Sequence, residues 1–245
     1  MKVHIDPHES IAQKAALAVE LKIANAILNH GIAHIILATG SSQLLFLKAL
    51  RERPIAWEKV IIFHLDEYIG LEESHPASFR YYLRENIIRH ISPQAFYPIN
   101  ADDENLNGVI ENYTQLLEKY PIDIACIGIG ENGHLAFNDP GVAHFNDHKL
   151  VKRVDLDEHC RRQQFDEGWF ESIDMVPKTA LTLTIPVIMG AKHISCFVPE
   201  KRKAKAVKNA LEGPVVEPCP ASILRKHSSV NLYLDPPSAH LLNHQ

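Results

Sequence analysis

The chain has 245 residues, 46% of them hydrophobic and 22% charged, with a formal net charge of -5. That composition suits a globular protein with a sizeable core and offers no global attraction to nucleic acid or to an anionic membrane. No run of about 18 apolar residues is present and the opening "MKVHIDPHES" lacks a secretory apolar stretch, so the expectation is one cytoplasmic domain over residues 1–245 with neither a membrane nor a nucleic-acid partner.

Taken in chain order, the first element is a helix over about residues 7–30, with Asp6 as N-cap, Pro7 at the first helical position, Glu9 in the first turn and Gly31 to end it. The run "AHIILA" (33–38) then reads as a buried strand. It ends in "ATGSSQ", where Thr39, Gly40, Ser41 and Ser42 can offer backbone N–H groups and hydroxyls to an anion, although small residues also serve a tight strand-to-helix turn. The second strand, "VIIFHL" (60–65), runs straight into Asp66 and Glu67. Burial would raise such a carboxyl toward the range of a general base; the structural alternative is that one of the two acids caps a helix or pairs with an arginine. Phe79, Leu83 and Ile87 at four-residue spacing mark a following helix.

A third apolar run, "IDIACIGIG" (122–130), leads into "GIGENGHLAFNDPG" (128–141), which sets Asn132, His134, Asn138 and Asp139 within eight residues among glycines. A histidine there can act as a proton shuttle, and a nearby carboxylate such as Asp139 can fix its tautomer; "NDPG" read as a plain turn is the structural alternative. Residues from about 140 to 178 are polar and weakly periodic. The fourth strand, "HISCFV" (193–198), opens on "VPEKRKAKAVKNALEG", a helix with Ala204, Val207 and Leu211 on one face and Lys203 in its first turn. An ammonium at that place suits a phosphate, yet Lys201, Arg202, Lys203, Lys205 and Lys208 equally describe a solvated basic face. "VNLYL" (230–234) is the last strand. The four cysteines, Cys126, Cys160, Cys196 and Cys219, include no CxxC pair, and the 15 histidines form no tract, so no metal site is expected and the thiols read as structural.

Near-continuous apolar strands alternating with helices describe an α/β fold: an open, mainly parallel, doubly wound, Rossmann-like sheet with helices on both faces. Ligands of such sheets bind beyond the carboxyl ends of the strands, where all four polar groups above collect.

Together, "LDEYIGLEESHPASF", "GIGENGHLAFNDPG", "VPKTALTLTIP" and "KRKAKAVKNALEG" make the chain, from about residue 33 to 235, resemble the glucosamine-6-phosphate deaminases of the sugar-phosphate isomerase and 6-phosphogluconolactonase superfamily. The lactonase branch carries Asp-Glu-Arg and "DGHxASLFP" where this chain has "DEY" and "NGHLAFNDP". The resemblance implies that Asp66 removes a C2 proton, that His134 opens the sugar ring with help from Asn132 and Asp139, and that Gly40, Ser41, Ser42 and Lys203 surround the phosphate. It implies a small-molecule amino-sugar phosphate as partner, conversion of glucosamine 6-phosphate and water to fructose 6-phosphate and ammonia, and no metal or organic cofactor. Galactosamine 6-phosphate, another sugar phosphate or a lactone stay open as alternatives, as does a homo-oligomer. A noncatalytic sugar-phosphate sensor would carry an added helix-turn-helix unit, for which an acidic chain whose α/β pattern starts at about residue 7 leaves no room.

Three departures from the family text stand out. Asp139 occupies a position where the deaminases have glutamate, and Asn132 one where many have aspartate. The segment "VAHFNDHKLVKRVDLDEHCRRQQFDEGWF" lacks the usual Ser-Arg-Thr-Arg text, which leaves Arg161 or Arg162 as substitutes for the arginine that contacts phosphate and removes grounds for allosteric control.

Overall fold

The computed structural model describes residues 1–156, 158–166 and 168–243. In chain order the main elements are β1 (Lys2–Ile5), α1 (His8–His30), β2 (Ala33–Leu37), α2 (Leu44–Arg51), β3 (Val60–His64), β4 (Asp66–Tyr68), α3 (Phe79–Asn86), β5 (Ala95–Tyr97), α4 (Leu106–Lys119), β6 (Ile124–Ile127) and β7 (Val151–Asp155). They continue with α5 (Glu158–Asp166), β8 (Thr179–Leu183), α6 (Ile185–Met189), β9 (His193–Val198), α7 (Ala204–Glu212), β10 (Val230–Leu234) and α8 (Pro236–Ala239).

Seven strands form a parallel sheet in the order β1-β10-β9-β6-β2-β3-β5. Successive side chains of a strand point to opposite faces. Ile35 and Leu37 of β2 accordingly pack with Ile11, Val19, Phe46 and Leu50 of α1 and α2. Ile36 packs on the other side with Tyr113 and Leu117 of α4 and Val207 of α7. Burial on both faces is why these strands are nearly all apolar. From β2 the chain steps to β3 on one side, and from β6 to β9 on the other, so the loops after β2 and β6 diverge at the boundary between two neighbouring strands. Such a switch point opens a crevice at the carboxyl end of the sheet.

The first helix differs from the sequence expectation at its start. Pro7, not Asp6, takes the N-cap position without a side-chain cap bond, and the Asp6 carboxylate instead pairs with Lys14 at 2.7 Å. Gly31 ends the helix in the left-handed region at φ 79°, its N–H bonded to Ile27 O. Cys126 and Cys196 are buried free thiols and Cys219 is half-buried; the side chain of Cys160 lies outside the described part of the chain.

A smaller antiparallel sheet, β4-β8-β7, was not expected. It begins where β3 runs out: Leu65 accepts a bond from Leu183 N–H, and Asp66, Glu67 and Tyr68 pair with Thr182, Leu181 and Ala180. Glu67 fastens this sheet to α3. Its carboxylate accepts from the N–H groups of Tyr68 (3.0 Å), Phe79 (3.1 Å) and Arg80 (2.9 Å), from Ser78 Oγ (2.9 Å) and from Arg80 Nε (3.2 Å). Arg80 is buried too, and donates further to Asp102 at 2.7 Å, to Leu71 O at 2.7 Å and to Asn100 Oδ1 at 3.5 Å. Burial raises the Glu67 carboxyl, against which the N–H donors of Arg80 and Phe79 act. Removing one partner of a buried, hydrogen-bonded pair strands the other charge and costs about 3–5 kcal/mol. Glu67→Ala is expected to lose that much in a urea titration; a loss under about 1 kcal/mol, the scale of an exposed pair, would show that the knot is not structural.

Candidate active site

The switch point opens into a cleft at the carboxyl ends of the strands. Its walls come from the loops after four strands: Ala38–Gln43 after β2, Leu65 and Asp66 after β3, Gly128, Ile129, Gly130 and His134 after β6, and Arg202 and Lys203 after β9. Thr39, Gly40, Ser41, Ser42, Asp66, His134 and Lys203 line it directly, and Asn132 and Asp139 support His134 from behind.

One end of the cleft is suited to an anion. Gly40 has φ 104°, a backbone region that favours glycine, and starts the tight turn Ser41–Gln43 ahead of α2. Tyr82 of α3 donates to Gly40 O at 2.8 Å, and Gln43 donates to Phe197 O at 3.0 Å, so the turn is held from both flanks. Lys203 lies in the turn Lys201–Lys203, one residue ahead of α7 rather than inside it, and is 5% exposed. The basic run therefore divides: Lys201 and Lys205 are exposed, whereas Lys203 and Arg202 face the cleft. Arg202, read from sequence only as part of a basic face, donates from Nη2 to Ser41 Oγ at 3.1 Å. Arg161 and Arg162 are not the cationic groups of the site. Arg161 donates to Ile173 O at 2.6 Å and Val176 O at 3.2 Å, Arg162 is exposed, and neither is among the described residues lining the cleft.

The other end holds an imidazole oriented from behind. His134 Nδ1 lies 2.8 Å from Asn132 Oδ1 and 3.0 Å from Asp139 Oδ1. The Asn132 amide is itself oriented, its Oδ1 accepting from His134 N–H at 3.0 Å and its Nδ2 donating to Asp139 at 2.8 Å. Two acceptor oxygens at Nδ1 place the proton there, which leaves Nε2 as the nitrogen able to exchange a proton with a ligand. The aspartate in place of the family glutamate thus reaches the histidine. A Cβ at Gly130 would overlap the imidazole, so the ring rests directly on that glycine. Asn138, by contrast, is fully buried and donates to Leu135 O and Leu183 O, each at 2.8 Å; it pins the loop to β8 and takes no part in the cleft.

Between the two ends stands Asp66, 7% exposed. Burial, then the charges of Glu67 and Asp139, pushes its carboxyl well above its ordinary value near 3.8. Its neighbour His64 is no proton carrier: burial and the Arg80 charge lower it to about 3, and its Nε2 accepts from Ile99 N–H at 2.6 Å. Of the two adjacent acids, Glu67 is the helix cap and arginine partner, while Asp66 faces the cleft. The polar segment without clear periodicity supplies further lining: Gln164 of α5 and Trp169, whose ring meets Tyr82 edge-on at 6.3 Å. Only their apolar and amide chemistry, not spacing, could have marked them.

A carboxyl whose native pKa exceeds its unfolded value favours folding when protonated, and that contribution is lost as pH rises through the native value. Ionised Asp66 is then a burden that asparagine lacks. Asp66→Asn is expected to melt at least about 2–4 °C above the wild type near pH 8, the shift that 1 kcal/mol gives a chain of this size, with the gap closing toward about pH 4. A variant that melts below the wild type at the higher pH would refute the desolvated carboxylate.

Comparison with known proteins bears on this geometry. The family described as Glucosamine-6-phosphate isomerases/6-phosphogluconolactonase matches residues 6–233. The chain is 36% identical over 223 residues to the glucosamine-6-phosphate deaminase of Oenococcus oeni, covering 91% of this chain and 92% of that protein. It is 36% identical over 225 residues to that of Streptococcus gordonii, covering 92% and 94%. Among solved structures, a monomeric glucosamine-6-phosphate deaminase superposes with a TM-score of 0.89 at 32% identity over 98% of this chain and 100% of that one. A 6-phosphogluconolactonase of Shewanella baltica superposes with a TM-score of 0.77 over 96% of each chain, but at 18% identity that likeness is one of fold. Sequence, architecture and cleft agree: the chain belongs to the glucosamine-6-phosphate isomerase/6-phosphogluconolactonase family.

Proposed function

We propose that this enzyme converts glucosamine 6-phosphate and water to fructose 6-phosphate and ammonia. The observation that carries the reading is the division of one cleft: a desolvated carboxyl and an oriented imidazole on one side, a lysine, an arginine and a serine turn on the other. Lys203 and the Ser41 turn hold the phosphate, which leaves the sugar ring toward Asp66 and His134. His134, through Nε2, moves the proton between O1 and O5 as the ring opens. Asp66 takes the C2 proton to give an enolamine and returns it to C1, which produces the C2 imine; water adds there and ammonia leaves. Each bond broken or formed, C1–O5 on ring opening, C2–H, C1–H, and C2–N after water adds, is assisted by a proton transfer, so side-chain acids and bases suffice. The close fit of Asn132 and Asp139 on Nδ1 keeps the imidazole in one tautomer through the cycle.

The two proton carriers are expected to fail differently. Asp66→Asn should stop exchange of the C2 hydrogen with deuterated solvent while calorimetric binding of a sugar phosphate persists. His134→Gln should slow turnover of the cyclic substrate by about 10²- to 10⁴-fold, yet leave C2 exchange on the open-chain fraction. Wild-type exchange in Asp66→Asn would remove Asp66 as the base.

Lys203→Ala should weaken binding of the phosphorylated sugar by roughly 1.5–3 kcal/mol, the scale of a charged hydrogen bond, with little effect on the unphosphorylated one. Equal losses for both would take Lys203 out of the phosphate site. A panel of amino-sugar and plain sugar 6-phosphates, with ammonia and ketose assayed separately, fixes the epimer; ammonia without ketose would reject the mechanism.

A further inference from the structure

Arg202 spans the two ends of the cleft. Its Nη2 donates to Ser41 Oγ at 3.1 Å, its Nη1 to Glu131 Oε1 at 2.9 Å and its Nε to Glu200 Oε2 at 2.6 Å. Glu200 adopts φ 81°, rare for a residue with a side chain, and its N–H is bound by both carboxylate oxygens of Asp235 at 3.1 Å. Such a conformation persists only where the surroundings over-determine it. The guanidinium is thus fixed in direction, with its planar fork set at the anion end of the cleft beside Ser41 and Lys203.

Its other carboxylate partner lies in the proton-transfer loop. Glu131 stands between Gly130, on which the imidazole rests, and Asn132, which holds both His134 and Asp139. The connection from Ser41 through Arg202 and Glu131 to the support of His134 is therefore unbroken. Binding energy from a remote, nonreacting group of a substrate raises the rate only when it is spent on ordering the reacting centre. A charge relay that ended at the phosphate would need no carboxylate on the loop.

We propose that Arg202 reads the 6-phosphate and, through Glu131, transmits its presence to the Gly130–His134 loop, so that phosphate binding places the imidazole for ring opening. Glu131 is then a positioning residue, acting through Arg202 and its own backbone. The inference rests on the sugar-phosphate reading above.

The test compares intact glucosamine 6-phosphate with the substrate in two pieces, glucosamine plus phosphite dianion. In the wild type, phosphite should accelerate turnover of glucosamine. Glu131→Ala should lower kcat on glucosamine 6-phosphate about tenfold with KM changed less than about threefold, and should diminish the phosphite acceleration by a similar factor. Glu131→Gln, which keeps an acceptor oxygen for Nη1, should recover part of both. Glu131 is 30% exposed and Arg202 keeps Glu200 and Ser41, so the variants should melt with the wild type. A rise in KM alone would overturn the proposal, as would an equal loss on glucosamine without phosphite, since the loop would then fail regardless of phosphate. Wild-type turnover of glucosamine 6-phosphate with no phosphite effect would overturn the coupling and leave the function standing; a wild type inert toward glucosamine 6-phosphate would overturn the function itself.

Discussion

A carboxylate placed in a protein interior must find donors or cease to be charged, and the structure turns on how that constraint is met twice in succession. Glu67 receives donors from the amino end of α3 and from Arg80, and so joins the smaller sheet to the helix. Because α3 is held there, Phe79 and Tyr82 form one wall of the cleft and Tyr82 grips Gly40 O. Asp66, one residue earlier and on the opposite face of the same short strand, is left among like charges at the cleft floor. The alternation of a β-strand is thus enough to separate a structural acid from a titratable one.

The parallel sheet was readable because its strands are buried on both faces and so are nearly continuous in apolar residues; β9 and β10 follow the sequence reading to the residue, and β2 and β3 within one. β1 and β5 were not, since both are edge strands, β1 with Val3 and Ile5 exposed and only two apolar side chains to signal it, β5 only three half-buried residues long. The smaller sheet escaped for a related reason. Its β4 has three residues, and in β7 Arg153 and Asp155 face outward while Lys152 is folded back onto Asp147 and Val142 O, which conceals the strand in a polar text. At the site, glycine spacing and the position after each strand marked Gly40, Ser41, Asp66 and His134. Arg202 was hidden because a run of basic residues looks alike in sequence, whereas the turn Lys201–Lys203 sends successive side chains in different directions. The role of Arg161 shows the converse: an arginine in a suggestive place whose guanidinium is taken up by backbone carbonyls.

The loop that carries His134 gains its precision from backbone rather than from bulk. Gly130 N–H bonds to His134 O at 2.9 Å, Asn138 fastens the return of the loop to β8, and the imidazole lies against a glycine that allows no added methyl. A charged network of modest size then suffices to orient the ring, because few conformations remain to be excluded.

The chain contains only two tryptophans. Trp57 is 7% exposed in the turn ahead of β3, at the amino end of the sheet. Trp169 lines the cleft at the carboxyl end. The indoles therefore sit at opposite poles of the same strands, one in the packed interior and one where a ligand arrives. Their fluorescence divides accordingly: emission from Trp169 follows occupancy of the cleft, whereas that of Trp57 changes when the core opens, so that substitution of either one by phenylalanine makes the molecule its own single-site optical probe.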